Sequence, residues 1–430
     1  MGEENQFDAV VVGAGPAGLA CAYLLAKAGK AVLIIERGDA PGAKNVTGGR
    51  IYAYALNLLD QELLEDAAWE RKVSHEEIMI IDGKRSITID YHDPSLTEGD
   101  QSIQSYTVLR AVFDQWMAGK AEEVGAMLVC GIRVDDLIQR EGRVVGVIAG
   151  EDEIYAEMVI AADGVNSIMA QKAGLISDLK KETVGVGVKE VIELPAKTIE
   201  ERFKLSQNEG SARMILGCTQ GIHGGGFLYT NRESISLGCV FMPQEIVQHG
   251  QQVHDIFQEL KMHPAIYPLI QDGKTVEYSA HLVSEAGLRG MPAQLYKEGL
   301  LLVGDSAGLV INTGYSIRGM DLAILSGIAA ARAILGENDR SKIGPAYLAE
   351  MEKICLLPTM RLSDGYTQLL DIPRIYSNYP QLAIGVMQRL YKVDGQIPQN
   401  LKKQVMEAID ESGLTLWQMI KDGFKGVRSI

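Results

Sequence analysis

The sequence predicts an α/β chain. A Rossmann-like domain comes first, joined to a domain built on an antiparallel sheet and followed by a helical C-terminal region. Three observations carry that prediction. A strand, a glycine-rich turn, a helix, a second strand and an acid follow one another within residues 7–37. Residues 181–285 alternate apolar and polar side chains at the period of half-buried strands. Residues 341–430 read as helices punctuated by prolines.

The first element is "FDAVVVGAGPAGLACAYLLAKAGKAVLIIER". Val10 to Val12 form a β-branched run, as a strand buried on both faces requires. Gly13, Ala14, Gly15, Pro16, Ala17 and Gly18 then spell GxGxxG. The first glycine permits a tight turn, the second lets a pyrophosphate approach the backbone, and the third lets helix and strand pack closely. The helix N-terminus faces the phosphates. Helix formers run to Ala28, and Gly29 is the expected stop. "AVLIIE" ends in Glu36, which lies 18 residues beyond Gly18 (36 − 18), near the spacing of a ribose ligand. Arg37 follows it. Residues 9–26 are apolar enough to suggest a membrane span, but four glycines and prolines interrupt them and acids precede them.

A second motif decides between nucleotides. "LLLVGDSAG" closes an apolar run on Gly304 and Asp305, 292 residues beyond Gly13 (305 − 13). A carboxylate at a strand end can accept a hydrogen bond from a ribityl hydroxyl, which FAD has and NAD lacks. A helix expected over residues 316–335 would aim backbone N–H groups of Arg318, Gly319 and Met320 at a flavin's pyrimidine edge. "MVIAADGVNS" supplies a third strand end with Asp163 and Gly164.

Together these residues resemble the two-domain FAD oxidoreductases of the glutathione-reductase structural class. They are closest to the group of p-hydroxybenzoate hydroxylase, geranylgeranyl reductase and electron-transfer-flavoprotein:quinone oxidoreductase. The stretches "GAKNVTGGRIY" (42–52), "GIHGGGFLYTNRESISLG" (221–238), "GDSAGLVINTGYSIRGMD" (304–321) and "KDGFKGVRSI" (421–430) narrow the likeness to the FixC subfamily. The resemblance implies FAD on the GxGxxG turn, Glu36, Asp163-Gly164 and Gly304-Asp305. It implies electrons accepted from an electron-transfer flavoprotein and passed to quinone, within a FixABCX-type (bifurcating) complex. The partners so implied are the alpha and beta subunits of that flavoprotein (FixA/FixB-like) and a ferredoxin-like FixX-type iron–sulfur subunit.

Further residues join this list. Asn45, Gly48, Gly49 and Arg50, with Lys44, belong to a loop expected to border the flavin. Arg110 opens a helix whose apolar face is expected to carry Leu109, Val112, Phe113 and Trp116; the related hydroxylases suggest it for the diphosphate or ribityl chain. Val134 lies where a strand's backbone would contact adenine. Gly224 to Gly226, Phe227 and Tyr229 would form a slot for a quinone headgroup, and His223 could protonate a quinol oxygen. The expected domains are an FAD-binding domain from 5–75, 105–180 and 286–340, a quinone-side sheet domain from 76–104 and 181–285, and the helical region 341–430. A geranylgeranyl-reductase-like or hydroxylase-like enzyme acting on an isoprenoid or aromatic substrate is the alternative.

Composition restricts the rest. A net charge of −15 argues against nucleic acid as a partner. Five scattered cysteines without a CxxC indicate neither a metal site nor an iron–sulfur cluster and fit reduced thiols in the cytoplasm. The ending "LTLWQMIKDGFKGVRSI" spaces apolar residues as a helix does and is locally basic. It could lie peripherally on the inner face of the cytoplasmic membrane, bind a partner, or pack on its own core.

Overall fold

A computed structural model describes residues 6–43, 49–96, 99–177, 181–397 and 399–429. Two sheets organise it. In the first, four strands run parallel to a central one: Leu300–Leu302, Asp152–Ala161, Gln6–Val12, Val32–Glu36 and Met127–Cys130 lie side by side in that order. Val10, Val11, Ile34, Ile160 and Leu301 are fully enclosed, which is why these strands are runs of apolar residues rather than alternating ones. Strand order reverses beside Gln6–Val12, the switch point at which open α/β sheets leave a crevice at their carboxyl ends.

Helices Pro16–Lys27 and Met320–Gly336 pack against each other. The first is the expected helix, begun by a proline at its first turn and ended before Gly29, whose φ is +80°. The second starts later than the pattern predicts. A small hairpin of Ile311–Asn312 against Ile317–Arg318 occupies the preceding residues, and Gly319 caps the helix.

The helix Arg110–Glu123 corrects a face assignment. Its buried side carries Phe113, Asp114, Met117, Ala118 and Ala121, while Val112 is 51% exposed and Trp116 only half-buried. The apolar residues alone suggested a different stripe, because a buried aspartate is invisible to a hydrophobic period.

The second sheet orders Lys274–Ser284, Val184–Glu193, Ser234–Phe241, Gly224–Thr230, Glu209–Leu216 and Lys72–Asp82, with the short strands Ser105–Thr107 and Arg50–Tyr52 beyond. Most neighbours are antiparallel, but Glu209–Leu216 runs parallel to Lys72–Asp82. The hairpin closes at residues 231–233, where Asn231 N–H donates to Ser234 O at 2.8 Å. Helices make up most of the described chain beyond residue 340. No helix among the described residues is long and apolar enough to cross a membrane.

Candidate cofactor cleft

Register brings three distant motifs together. Val12 stands beside Ala161, and Ala161 beside Leu302. The turns that follow these strands therefore open on one edge of the sheet, although Gly13, Asp163 and Asp305 are far apart in sequence. A cleft of about 1890 Å³, including its open mouth, begins there. Its lining runs from Glu36 and Val134 past Gly15 to Asp305 and Met320, which suits an elongated ligand.

Two glycines of the turn act differently. Gly13 has φ +104°, and a Cβ there would stand 2.4 Å from Ala162 O, so it is fixed by close approach of two strand ends. Gly15 has no such neighbour. A Cβ on it would meet only Arg110 Nη2, at 3.9 Å. The backbone at Gly15 thus lies beside a guanidinium at a helix N-terminus, the arrangement an anionic phosphate needs. Pro16 and Ala17 line the same wall, whereas Gly18 is buried where the helix packs on the strand, with a Cβ there 2.4 Å from Gly13 O.

Arg110 is clamped by Asp114, with Nε to Oδ1 at 2.8 Å and Nη2 to Oδ2 at 2.7 Å. Burial opposes its charge, but the carboxylates of Asp114 and Asp305 outweigh burial and hold it above the usual arginine value. Asp305 lines the cleft, and no hydrogen bond to its carboxylate comes from a described residue. Burial raises its pKa against the opposing pull of Arg110 and His281. A carboxyl in an enclosed cleft with no donor among the described residues is costly unless a ligand hydroxyl meets it.

Asp163 is held internally. It accepts from Met169 N–H and from Ser306 Oγ, each at 2.9 Å, and burial lifts its pKa against those bonds. At the far end Glu36 accepts from Ala14 N–H at 2.9 Å and Gly38 N–H at 2.6 Å, with Arg37 and the buried Val134 on the same wall. Gly164, Gly304, Gly319 and Met320 also border the cleft.

Some candidates are placed differently. Arg50 lines the cleft, but its guanidinium is committed to Glu76 and Ser105. The Arg318 side chain is bound to Asp321 and Tyr54 OH, so only the backbone beside it reaches the cleft through Gly319. Gly49 is close to the Tyr229 ring, 2.5 Å from a hypothetical Cβ. Lys44, Asn45 and Gly48 lie outside the described residues. Phe227 and Tyr229 line the cleft, while Gly224 to Gly226 pack within the second sheet against Val240 and Cys218. His223 is away from the wall: its ring stacks on Tyr376 at 4.6 Å, and burial pushes its pKa down.

The sequence reading missed Glu285, which lines the cleft with Asn312 Nδ2 donating to it at 2.8 Å. No spacing marks a lone glutamate at a strand end. His75, His92 and Glu209 also gather unexpectedly, with ligand atoms within 4.8 Å of one another. The two imidazoles stack at 4.0 Å with 6° between planes. In-plane lone pairs of parallel rings run side by side and do not converge on one ion.

Known proteins fit this geometry. A model described as an FAD binding domain matches residues 6–333, and one described as the ETF-QO/FixC family C-terminal domain matches 366–430. Protein FixC of Escherichia coli K12 is 45% identical over 428 residues, 99% of each chain. The chain belongs to the FixC family. The FixC-like likeness extends to the probable electron transfer flavoprotein-quinone oxidoreductase YdiS of the same strain, 40% identical over 99% of this chain and all of that one. A geranylgeranyl bacteriochlorophyll reductase-like protein of Thermoplasma acidophilum shares the fold, with a TM-score of 0.70 at 20% identity, covering 95% of this chain and 96% of that one. The protein is thus an FAD-dependent oxidoreductase of the FixC type, on an α/β fold of the geranylgeranyl-reductase and hydroxylase kind.

Proposed function

We propose that this chain accepts electrons from an electron-transfer flavoprotein onto FAD and passes them to a quinone. The observation that carries the reading is full-length likeness to a probable electron transfer flavoprotein-quinone oxidoreductase. FAD supplies the redox chemistry, because its ring can hold two electrons. The chain's own groups bind and orient it. Gly15 and Arg110 take the pyrophosphate, Glu36 with Arg37 the adenosine ribose, Val134 the adenine, and Asp305 a ribityl hydroxyl. Asp163 and Gly164 support the nucleotide through Ser306. Gly319 and Met320 bring the N-terminus of a helix to the ring, where its N–H groups stabilise negative charge on reduction.

Phe227, Tyr229 and Val240 give the ring end of the cleft an apolar wall that suits a quinone headgroup. Residues 5–75, 105–180 and 286–340 act as the FAD-binding domain and residues 76–104 and 181–285 as the quinone side, although the strands Arg50–Tyr52 and Ser105–Thr107 join the second sheet. A [4Fe–4S] cluster requires four thiolates. The five cysteines here are free, and Cys355 is the only one beyond residue 239. In this reading a separate ferredoxin-like subunit of FixX type carries such a cluster, with FixA/FixB-like flavoprotein subunits upstream.

Membrane contact is supported by the last helix, Leu416–Ser429. It is anchored through Asp422, which accepts from Arg374 Nε at 2.7 Å and Nη2 at 2.6 Å and from Tyr379 OH at 2.9 Å. That polar anchorage leaves Trp417, Ile420, Phe424 and Val427 outside, between the exposed Lys421, Lys425 and Arg428. Apolar residues flanked by cations fit an anionic lipid surface, which favours a peripheral seat on the inner side of the cytoplasmic membrane.

Purification of the native complex tests the assembly. Two flavoprotein subunits and a small iron–sulfur protein should copurify in stoichiometric amount. A chain isolated alone, with full activity toward a non-quinone substrate, contradicts the reading.

A further inference from the structure

Glu285 follows directly on the strand Lys274–Ser284 and lines the same cleft as Gly319 and Met320. One side of it opens to the cleft and protein surrounds the rest. Its only hydrogen bond from a described side chain comes from Asn312 Nδ2, at 2.8 Å. Asn312 belongs to the hairpin between Asp305 and the helix Met320–Gly336 and stands opposite Ile317, so the bond ties the carboxyl to the segment that leads to Gly319 and the ring end of the cleft. The neighbouring strand leaves room for it: a Cβ on Gly185 would stand 3.1 Å from Glu285 Cγ. No described cation forms a salt bridge with it.

This placement has a chemical consequence. A carboxylate without a cation, beside an anionic cofactor, is costly when enclosed. The protonated acid is the cheaper form, and burial accordingly pushes Glu285 up to about 7. Groups around it do not reverse this. The Tyr376 phenol stays protonated, raised by burial and then by Glu285, Asp371 and Glu245. His223, stacked on Tyr376, is pushed down by burial, and its backbone N–H donates to Glu245 Oε2 at 2.6 Å. Beyond them the exposed Arg289 and Asp371 pair at 2.9 Å.

We propose that Glu285 is the acid that delivers a proton to the acceptor reduced at the ring end of the cleft. The inference rests on the quinone reading above. A quinone becomes a quinol by gaining two electrons and two protons. Two electrons and one proton come from the reduced cofactor. The second proton leaves the Glu285 carboxyl, and water reprotonates the carboxylate. Asn312 is a positioning residue, holding the carboxyl toward the cleft.

The test uses the FAD-loaded protein and its Glu285→Gln and Glu285→Asp variants, with a short-chain soluble quinone. Rapid mixing follows reoxidation of the reduced flavin as pH is varied. In the unsubstituted protein the rate should fall as pH rises through about 7. Glu285→Gln should be slower by about 10²-fold or more at neutral pH and should lose that titration. Glu285→Asp should restore part of the rate and all of the titration. A second readout needs no turnover: the absorbance of the oxidised flavin should show a pH transition near 7 that Glu285→Gln abolishes. Equal rates and equal pH profiles in the Gln variant, or a spectral transition that survives it, overturn the proposal. A flavin that no quinone reoxidises in the unsubstituted protein removes the quinone reading itself, and this step with it.

Discussion

Ser306 donates a hydrogen bond from Oγ to Asp163 Oδ1 at 2.9 Å, across 143 residues of sequence. It ties the turn after one parallel strand to the turn after its neighbour, directly beside Asp305. Asp163 is enclosed, so removing a donor exposes its desolvation cost. Ser306→Ala should cost about 1–3 kcal/mol in denaturant unfolding, the usual range for an orphaned buried acceptor. It should also lower FAD retention, because Asp305 loses its fixed neighbour. Unchanged stability and unchanged flavin content in the purified variant count against this link.

Gly15 and Gly13 should respond differently to substitution. Gly15→Val places atoms in the space facing Arg110 and leaves the strand packing alone. The variant should fold and bind FAD at least about tenfold more weakly, a difference of 1.4 kcal/mol, read by fluorescence titration. Gly13→Val meets Ala162 O and should fail to give folded protein at all. A Gly15 variant with normal affinity places the phosphates elsewhere.

Asp305 and Glu285 make the empty cleft a pH-dependent cost. Both have folded pKa values raised above their unfolded ones, Glu285 from 4.5 to about 7. The folded state therefore binds these protons more tightly, and stability is lost as pH rises from the unfolded value through the folded one. FAD-depleted protein should lose stability between about pH 4.5 and 7, by a few kcal/mol at most. Asp305→Asn and Glu285→Gln should flatten that loss in thermal unfolding scans. Asp305→Ala should lose FAD before any other property, while a holo-level flavin content contradicts its role at the ribityl chain.

The turn of Gly13 to Gly18, the acid at Glu36 and the strand ends at Asp163 and Asp305 were legible because each depends on local spacing that the backbone enforces. The antiparallel sheet was legible by its period of two. What the sequence hid depends on register and on polar partners. Arg50 reads as a free cation, but Glu76 on a distant strand claims it. The buried side of the helix Arg110–Glu123 includes Asp114, which enters the interior paired with Arg110. Glu285 gains its character from enclosure, which no local pattern encodes.

The final helix should bind lipid without contributing much to stability. Phe424→Asp and Val427→Asp alter exposed positions and should change unfolding free energy by no more than about 0.5 kcal/mol. They should reduce sedimentation with anionic vesicles several-fold, and vesicles of neutral lipid should bind poorly throughout. Asp422→Ala should instead destabilise the helix, since it breaks the anchorage to Arg374 and Tyr379. Vesicle binding that ignores both apolar substitutions assigns the face to a protein partner.

The most direct measurement is stopped-flow absorbance of the FAD-loaded protein mixed first with a reduced electron-transfer flavoprotein and then with a soluble quinone. The flavin should bleach in the first mixing and recover its oxidised spectrum in the second. A flavin that stays oxidised in the presence of the reduced donor, or that remains reduced when quinone is added, contradicts the proposed electron transfer.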